Sequence, residues 1–330
     1  MEDSELVRHL RTAVRSQAHM GLVESVLPTL INCISDIGEA LRSSHHVSLA
    51  GSANAFGDDQ LNVDVLAENN IRTAISQCPF VTTASSEEDP VERNVQHQQR
   101  PATSVPEEQY TVAFDPLDGS SIIAPNWTVG TIIGIWEGET ALNQPPARKQ
   151  VAAMLGVYGP RTTVIIALRT PGSEPTCLEI GIGEGGVRNC EIIRSAVRLE
   201  ESPSKTRYFA PANLRAAADD DKYMSLISHF IQKKYTLRYS GGLVPDVVHS
   251  LVKGHGIYIS PVTAASKAKL RRLYELFPLA LIVECAGGEA IDPADGTYIL
   301  DKELTDLNQT AGLVCGTADE VDLVKKMLVD

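Results

Sequence analysis

The residues most able to do chemistry stand together at Asp115-Pro-Leu-Asp118-Gly-Ser-Ser121. Asp115 and Asp118 are hard oxygen ligands suited to a divalent cation, and the proline between them fixes φ and presets the direction of the chain. Gly119, Ser120 and Ser121 then offer consecutive backbone N–H groups and two hydroxyls, with a glycine where an anion can approach the main chain closely. Acids for a cation and amides for a phosphate therefore adjoin. The plainer alternative is a turn, since Asp-Gly and Gly-Ser are ordinary turn chemistry.

Further acids are spread along the chain. Asp58 and Asp64 flank the start of a helical stripe formed by Leu61, Val65, Ile71 and Ile75, where an acid can equally be a helix cap or dipole partner. Ser85-Ser86-Glu87-Glu88-Asp89 places three adjacent acids after a strand-like segment, a pattern shared with solvated faces. Arg271 and Glu275 are four apart in a stretch, 268–276, that reads as one helix, and so share a face or form a surface ion pair.

The elements that must position these groups read as follows. Residues 4–20 and 27–42 carry helical apolar stripes through Leu6, Leu10 and Val14 and through Leu30, Ile34, Ile37 and Leu41. The run Tyr110-Thr-Val-Ala-Phe114 has strand composition, which places the acids where that strand ends. A β-rich part follows at 130–136, 151–158 and 162–168. Beyond a polar seam near 198–206, helices and strands alternate, with a helix over 219–234; this suits an α/β layer. The seam divides the chain into subdomains 1–200 and 201–330. The polar stretch 90–109 reads as a loop between two acid clusters, and Thr317-Ala-Asp-Glu320 as a capping box.

With 330 residues the chain can bury a large core. A net charge of −13 and a pI near 5.1 exclude a basic nucleic-acid face, and they mean that binding an anion requires the local field to be inverted, as bound cations do. No unbroken apolar run reaches the about 18 residues of a membrane span, and the N-terminus is acidic, so a cytoplasmic location is expected. The six cysteines are scattered without a Cys-x-x-Cys pair, which points to free thiols.

Taken in order, Gly57-Asp58-Asp59-Gln60, Ser86-Glu87-Glu88-Asp89, Asp115-Pro-Leu-Asp-Gly-Ser-Ser121 and Lys269-Leu-Arg-Arg-Leu-Tyr-Glu275 resemble the fructose-1,6-bisphosphatase and sedoheptulose-1,7-bisphosphatase family over nearly the whole chain. The resemblance implies a layered α-β-α-β-α sandwich, two or three Mg²⁺ ions with Mn²⁺ as the alternative, and hydrolysis of the phosphate on carbon 1. It further implies that Glu87, Asp115, Asp118, Glu275 and the Leu117 carbonyl hold metal, and that Asp58 and Glu88 hold a further metal or its waters. Asp64 with Glu88 would deprotonate the attacking water. Asp118, Gly119, Ser120 and Ser121 would bind the scissile phosphoryl group, and Asn213, Arg238, Tyr239 and Lys269 the far phosphate. In the fructose enzymes the arginine at the position of Arg238 reaches in from a neighbouring subunit. Arg271 would support the metal site. Family members are homodimers or tetramers, and a dimer is expected here.

Departures within the family bear on the sugar. Leu237-Arg-Tyr-Ser-Gly-Gly-Leu-Val-Pro-Asp246, Tyr158-Gly-Pro-Arg-Thr-Thr163 and Phe209-Ala-Pro-Ala-Asn-Leu-Arg215 resemble the sedoheptulose branch, and Ser260 stands where fructose enzymes place a phosphate-binding tyrosine. Sedoheptulose 1,7-bisphosphate is the expected substrate. A fructose-specific or dual-substrate enzyme is the alternative, and a non-catalytic metal- and sugar-phosphate-binding protein the alternative of another class. Leu49-Ala-Gly-Ser-Ala-Asn54 replaces the redox loop of plastid enzymes, so no dithiol switch is expected there. Gln109-Tyr110 replaces the Lys-Tyr pair through which fructose enzymes sense AMP, so AMP is not expected to inhibit.

Overall fold

The computed structural model describes residues 4–53, 59–97, 107–200, 206–263 and 267–330. Helix, sheet, helix, sheet and helix layers stack in turn, as the α-β-α-β-α expectation requires. Strand faces show why. The larger sheet runs in the order Cys190–Arg194, Thr176–Ile182, Thr162–Leu168, Gln150–Tyr158, Val129–Glu137, Tyr110–Asp118, Val81–Ser86 and Arg93–Asn94. Among the described residues of this sheet, only Val81–Ser86 and Tyr110–Asp118 pair in parallel. Both faces of this sheet are covered, so its strands are almost continuously apolar where a half-exposed sheet would alternate.

Val112, Phe114, Ile133 and Ile135 enter one core, closed by the helices Leu27–Ser43 and Asn62–Ser76 through Leu30, Ile34, Ile71 and Ile75. Ala113, Ile132 and Trp136 enter the second core, closed by Leu243–Lys253 and Phe277–Cys285. Every residue from Phe277 to Val283 is buried, as expected of a helix sandwiched between two sheets. The smaller sheet, ordered Thr236–Leu237, Tyr208–Pro211, Ile257–Ser260, Leu313–Gly316 and Glu289–Ile291, gives Tyr258 and Cys315 to that middle layer. Its other face gives Ile257, Ile259 and Val314 to the outer helices Asp221–Gln232 and Ala318–Leu328.

Several local elements differ from their sequence pattern. The first helix is Glu5–Ala13: Val14 turns extended, and Ser16 starts a new helical stretch by accepting from Ala18 N–H at 3.2 Å. That stretch, Gln17–Ser43, is long and apolar enough to cross a membrane, but 67% of its most apolar part is buried in the protein, as in a core helix. The pattern over 268–276 is not one helix. Leu270–Arg271 pairs with Thr310–Ala311, and the helix starts at Arg272, because the Glu275 carboxylate turns back to cap the Arg271 N–H. The box expected at Thr317 does not form. Its hydroxyl takes the Gly256 N–H at 3.0 Å, and both Glu320 carboxylate oxygens lie 2.8 Å from the Tyr235 hydroxyl. Tertiary partners outcompete the local cap.

Candidate active site

The strand Tyr110–Asp118 runs through its acids instead of ending before them. Asp115 pairs with Ile132 but Asp118 with Gly130, so three steps on one strand face two on the other. This is a bulge, made where Pro116 has no N–H for the ladder. Residues three apart in a regular strand point to opposite faces; the extra residue brings Asp115 and Asp118 to one side. The Pro116 carbonyl accepts from Thr131 Oγ1 at 2.8 Å, and Leu117 N–H returns to Asp115 Oδ1 at 3.0 Å.

Asp118 is held from a distant part of the chain. Its carboxylate accepts from Leu243 N–H at 3.2 Å and Val244 N–H at 2.7 Å, at the start of the helix Leu243–Lys253. Glu275 joins from the other side, so that Asp115, Asp118 and Glu275, all buried, offer carboxylate oxygens within 4.8 Å of one another. Burial raises all three acids. Asp115 and Glu275 go well above the usual carboxylate range, with the neighbouring charges adding to the effect. Asp118 rises to about 6, less because the Val244 and Leu243 amides favour its charged form.

Glu87, just past the strand Val81–Ser86, faces the same cluster and is raised to about 7 by burial, with Glu88 and Asp118 adding and Arg271 opposing. Arg271 Nε lies 3.8 Å from Glu87 Oε1. It supports the cluster from a strand end, not from the helical face read in the sequence. Glu88 accepts from the Gln60 amide. Asp64 is the third residue of the helix Asn62–Ser76; Oδ2 caps Leu61 N–H at 2.9 Å, while Oδ1 is buried without a hydrogen-bond partner among the described residues. Burial raises Asp64 as well. Asp89, the third acid of the run, is a structural partner of Arg93 at 2.7 and 3.0 Å. Asp58 lies outside the described residues, as does much of the loop 90–109.

From Asp118 a cavity of about 920 Å³ extends past Ser121 to Asn213, Tyr239, Ser260 and Lys269. Gly119 takes a left-handed φ of 100° and starts the short helix Ser120–Ile123, leaving Ser120 and Ser121 exposed. Asp246 accepts from Ser240 N–H at 2.7 Å and Gly241 N–H at 3.2 Å, fixing the turn behind Tyr239. Arg238 is the predicted residue that this chain does not bring into the cavity. It lines a neighbouring groove of about 690 Å³ with Trp127 and His249, its guanidinium over the Tyr208 ring. Sequence reading missed the Leu243 and Val244 amides, which carry no side-chain signal, and the cavity residues Arg215 and Lys267, which sit beside predicted ones.

A five-layered α/β sandwich with a buried carboxylate cluster at one end of a cavity and basic side chains at the other is the architecture of a sugar phosphatase. Residues 7–185 match the fructose-1-6-bisphosphatase N-terminal domain and residues 202–329 its C-terminal domain. A chloroplastic sedoheptulose-1,7-bisphosphatase of Spinacia oleracea is 38% identical over 307 residues, covering 91% of this chain and 74% of the relative. A class 1 fructose-1,6-bisphosphatase of Syntrophotalea carbinolica is 33% identical over 311 residues, covering 91% and 89%. A crystal structure from Toxoplasma gondii, described as a candidate sedoheptulose-1,7 bisphosphatase, superposes with a TM-score of 0.83 at 32% identity over 99% of both chains. The fold is also that of Leishmania major fructose-1,6-bisphosphatase, with a TM-score of 0.80 at 24% identity over 98% of both chains.

The chain belongs to the fructose-1,6-bisphosphatase family. It is a sugar bisphosphatase, a phosphoric monoester hydrolase of a metal-dependent family.

Proposed function

We propose that this enzyme hydrolyses the 1-phosphate of sedoheptulose 1,7-bisphosphate, giving sedoheptulose 7-phosphate and phosphate, with Mg²⁺ as its cation. The observation that carries the reading is the single cavity with Asp118 and Ser121 at one end and Asn213, Tyr239 and Lys269 at the other, walled by Ser260. A serine there leaves space for a longer sugar. Higher identity to relatives described as sedoheptulose enzymes than to those described as fructose enzymes supports the same choice.

The donor set fits divalent cations. Three buried carboxylates within 4.8 Å, all raised by desolvation and two of them, Asp115 and Glu275, also by neighbouring carboxylates of the site, have Arg271 as the cation close to their neighbour Glu87, and such a cluster favours an added positive charge. Asp115, Asp118, Glu275, Glu87 and the Leu117 carbonyl would hold Mg²⁺, two or three ions with Mn²⁺ as the alternative, and Asp58 and Glu88 a further ion or its waters. Bound there, the cation supplies neutralisation of phosphoryl charge and acidification of water.

The remaining work belongs to side chains and amides. Asp64, paired with Glu88, takes the proton of the attacking water; among the described residues Asp64 Oδ1 has no hydrogen-bond partner, which leaves it open to that proton. Gly119, Ser120 and Ser121 orient the scissile phosphoryl group. Water oxygen bonds to phosphorus as the bond to the sugar oxygen on carbon 1 breaks, and the departing oxygen takes a proton from solvent to become the 1-hydroxyl. Asn213, Tyr239 and Lys269 hold the far phosphate, and Arg238 completes that grip from the second copy of a homodimer.

Phosphate release from sedoheptulose 1,7-bisphosphate and fructose 1,6-bisphosphate, assayed side by side with Mg²⁺ and with EDTA, tests the reading. Mg²⁺-dependent turnover with the higher kcat/KM for the seven-carbon sugar is expected. A reversed preference would make the protein a fructose-1,6-bisphosphatase.

A further inference from the structure

Basic residues line the same cavity as Asp118. Asn213 and Arg215 follow the strand Tyr208–Pro211, while Lys267 and Lys269 follow Ile257–Ser260. These strands are parallel neighbours, with Pro211 opposite Ile259, so both loops leave the sheet on its carboxyl side. Ala212 N–H donates to the Ile259 carbonyl at 2.7 Å, which pins the two loop origins together. Asn213 then takes a left-handed φ of 49°, a conformation asparagine tolerates, and the 3₁₀ turn Leu214–Ala218 carries Arg215 onto the rim.

Arg215 Nε donates to Asn213 Oδ1 at 3.3 Å. Neither Arg215 nor Lys267 has an ion-pair partner among the described residues. An arginine held by Nε keeps both terminal amino groups for a ligand, the fork that matches phosphate. Both residues are exposed where Asn213 is half-buried, and the cavity residues Ala212, Ala216 and Ser260 among which they stand have small side chains. Asp219 is the carboxylate on the same rim. In a chain with 42 acids against 29 Lys and Arg, a cavity lined by Arg215, Lys267 and Lys269 points to an anion there.

We propose that Arg215, with Lys267 opposite, reads substrate length: it takes the far phosphate of a ketose bisphosphate one carbon longer than a hexulose. Asn213, Tyr239 and Lys269 grip the far phosphate of either sugar, and only the longer one brings it within reach of Arg215 as well. Arg215 is thus a specificity-determining residue rather than part of the chemistry. This rests on the sugar-bisphosphatase site proposed above.

The test compares wild type with Arg215→Ala and Arg215→Lys, using KM and kcat for both sugars and calorimetric binding of sedoheptulose 7-phosphate and fructose 6-phosphate in EDTA. Arg215→Ala is expected to raise KM for the seven-carbon substrate and weaken sedoheptulose 7-phosphate binding by about tenfold or more. Its kcat should hold, its six-carbon constants should change by less than about threefold, and Arg215→Lys should recover part of the loss. Equal loss for both sugars, or no loss, in a protein that still turns over the seven-carbon substrate overturns the inference alone. Wild type inert towards that substrate overturns the substrate reading and this inference with it. Unchanged melting temperature of the variants separates either result from misfolding.

Discussion

Gly130 lies directly beneath Val244: a Cβ built on the glycine would stand 2.4 Å from Val244 Cγ1 and 2.7 Å from the Gly156 carbonyl oxygen. Gly130 is also the strand partner of Asp118, and Val244 N–H donates to the Asp118 carboxylate. The missing side chain lets a helix come close enough to the sheet for two of its amides to reach a carboxylate of the site.

Replacing Gly130 by alanine should therefore act on the site as well as the fold. Backbone blocks the methyl on one side and Val244 on the other, so the helix start must move. A destabilisation of about 1–3 kcal/mol is expected, together with a fall in phosphate release that saturating substrate does not restore. Thermal melting and steady-state kinetics check it. Full activity at reduced stability would show that the Asp118 amide bonds are not needed for turnover.

Metal-free protein should lose stability as pH rises. Folding raises Asp118 to about 6 from 3.8 and Glu87 to about 7 from 4.5, so the folded state holds protons that the unfolded chain releases. Their contribution is complete below the unfolded values and disappears as pH rises through 6 to 7. In EDTA the melting temperature should drop between pH 5 and pH 7.5 (on the order of the window those values define). Mg²⁺ should flatten that slope and release protons on binding near neutral pH, measured as a buffer-dependent binding enthalpy.

Asp64→Asn should reduce kcat by about 10²- to 10⁴-fold with little change in KM, because a base acts in the transition state and not in substrate binding. Its cap on Leu61 N–H can be kept by the asparagine oxygen, so the melting temperature should stay near that of wild type. A variant altered only in KM would move Asp64 out of the proton-transfer role.

AMP should not inhibit at physiological concentrations. At the head of the central strand, Glu108 accepts from Gly21 N–H and Leu22 N–H, both at 2.8 Å, and from the Tyr110 hydroxyl at 2.6 Å. An internal carboxylate already occupies these donors, and residue 109 is Gln where the fructose enzymes have lysine. Activity titrated with AMP tests this directly, and Glu108→Ala reports whether emptying the position admits an anion.

Much of this protein was legible in its residues, for reasons of local physics. Strands buried on both faces are almost continuously apolar, and Ile132-Ile-Gly-Ile-Trp136 shows this without any fold in view. Asp115 and Asp118 stood out because carboxylates beside a proline and a glycine-serine turn suit cations and phosphates, whereas Glu87 and Glu275 were picked out only by the resemblance of their motifs, in order, to those of the family. The capping box at Thr317 failed for the opposite reason: its local pattern was complete, but a backbone amide at Gly256 and a hydroxyl at Tyr235 offered better partners.

What only the tertiary structure decided is facing and distance. Strand periodicity sends Asp115 and Asp118 to opposite sides, and a bulge paired across to Gly130 reunites them. The donors to Asp118 come from 125 and 126 residues away, through backbone groups that every residue possesses. Arg271 supports the site from a two-residue strand because a side-chain cap from Glu275 starts the helix one residue later. Arg215 and Lys267 meet because two parallel strands release their loops at one edge. Side-chain chemistry is written residue by residue and can be read there; register, bulges and main-chain donors depend on which strand lies beside which, and folding supplies that.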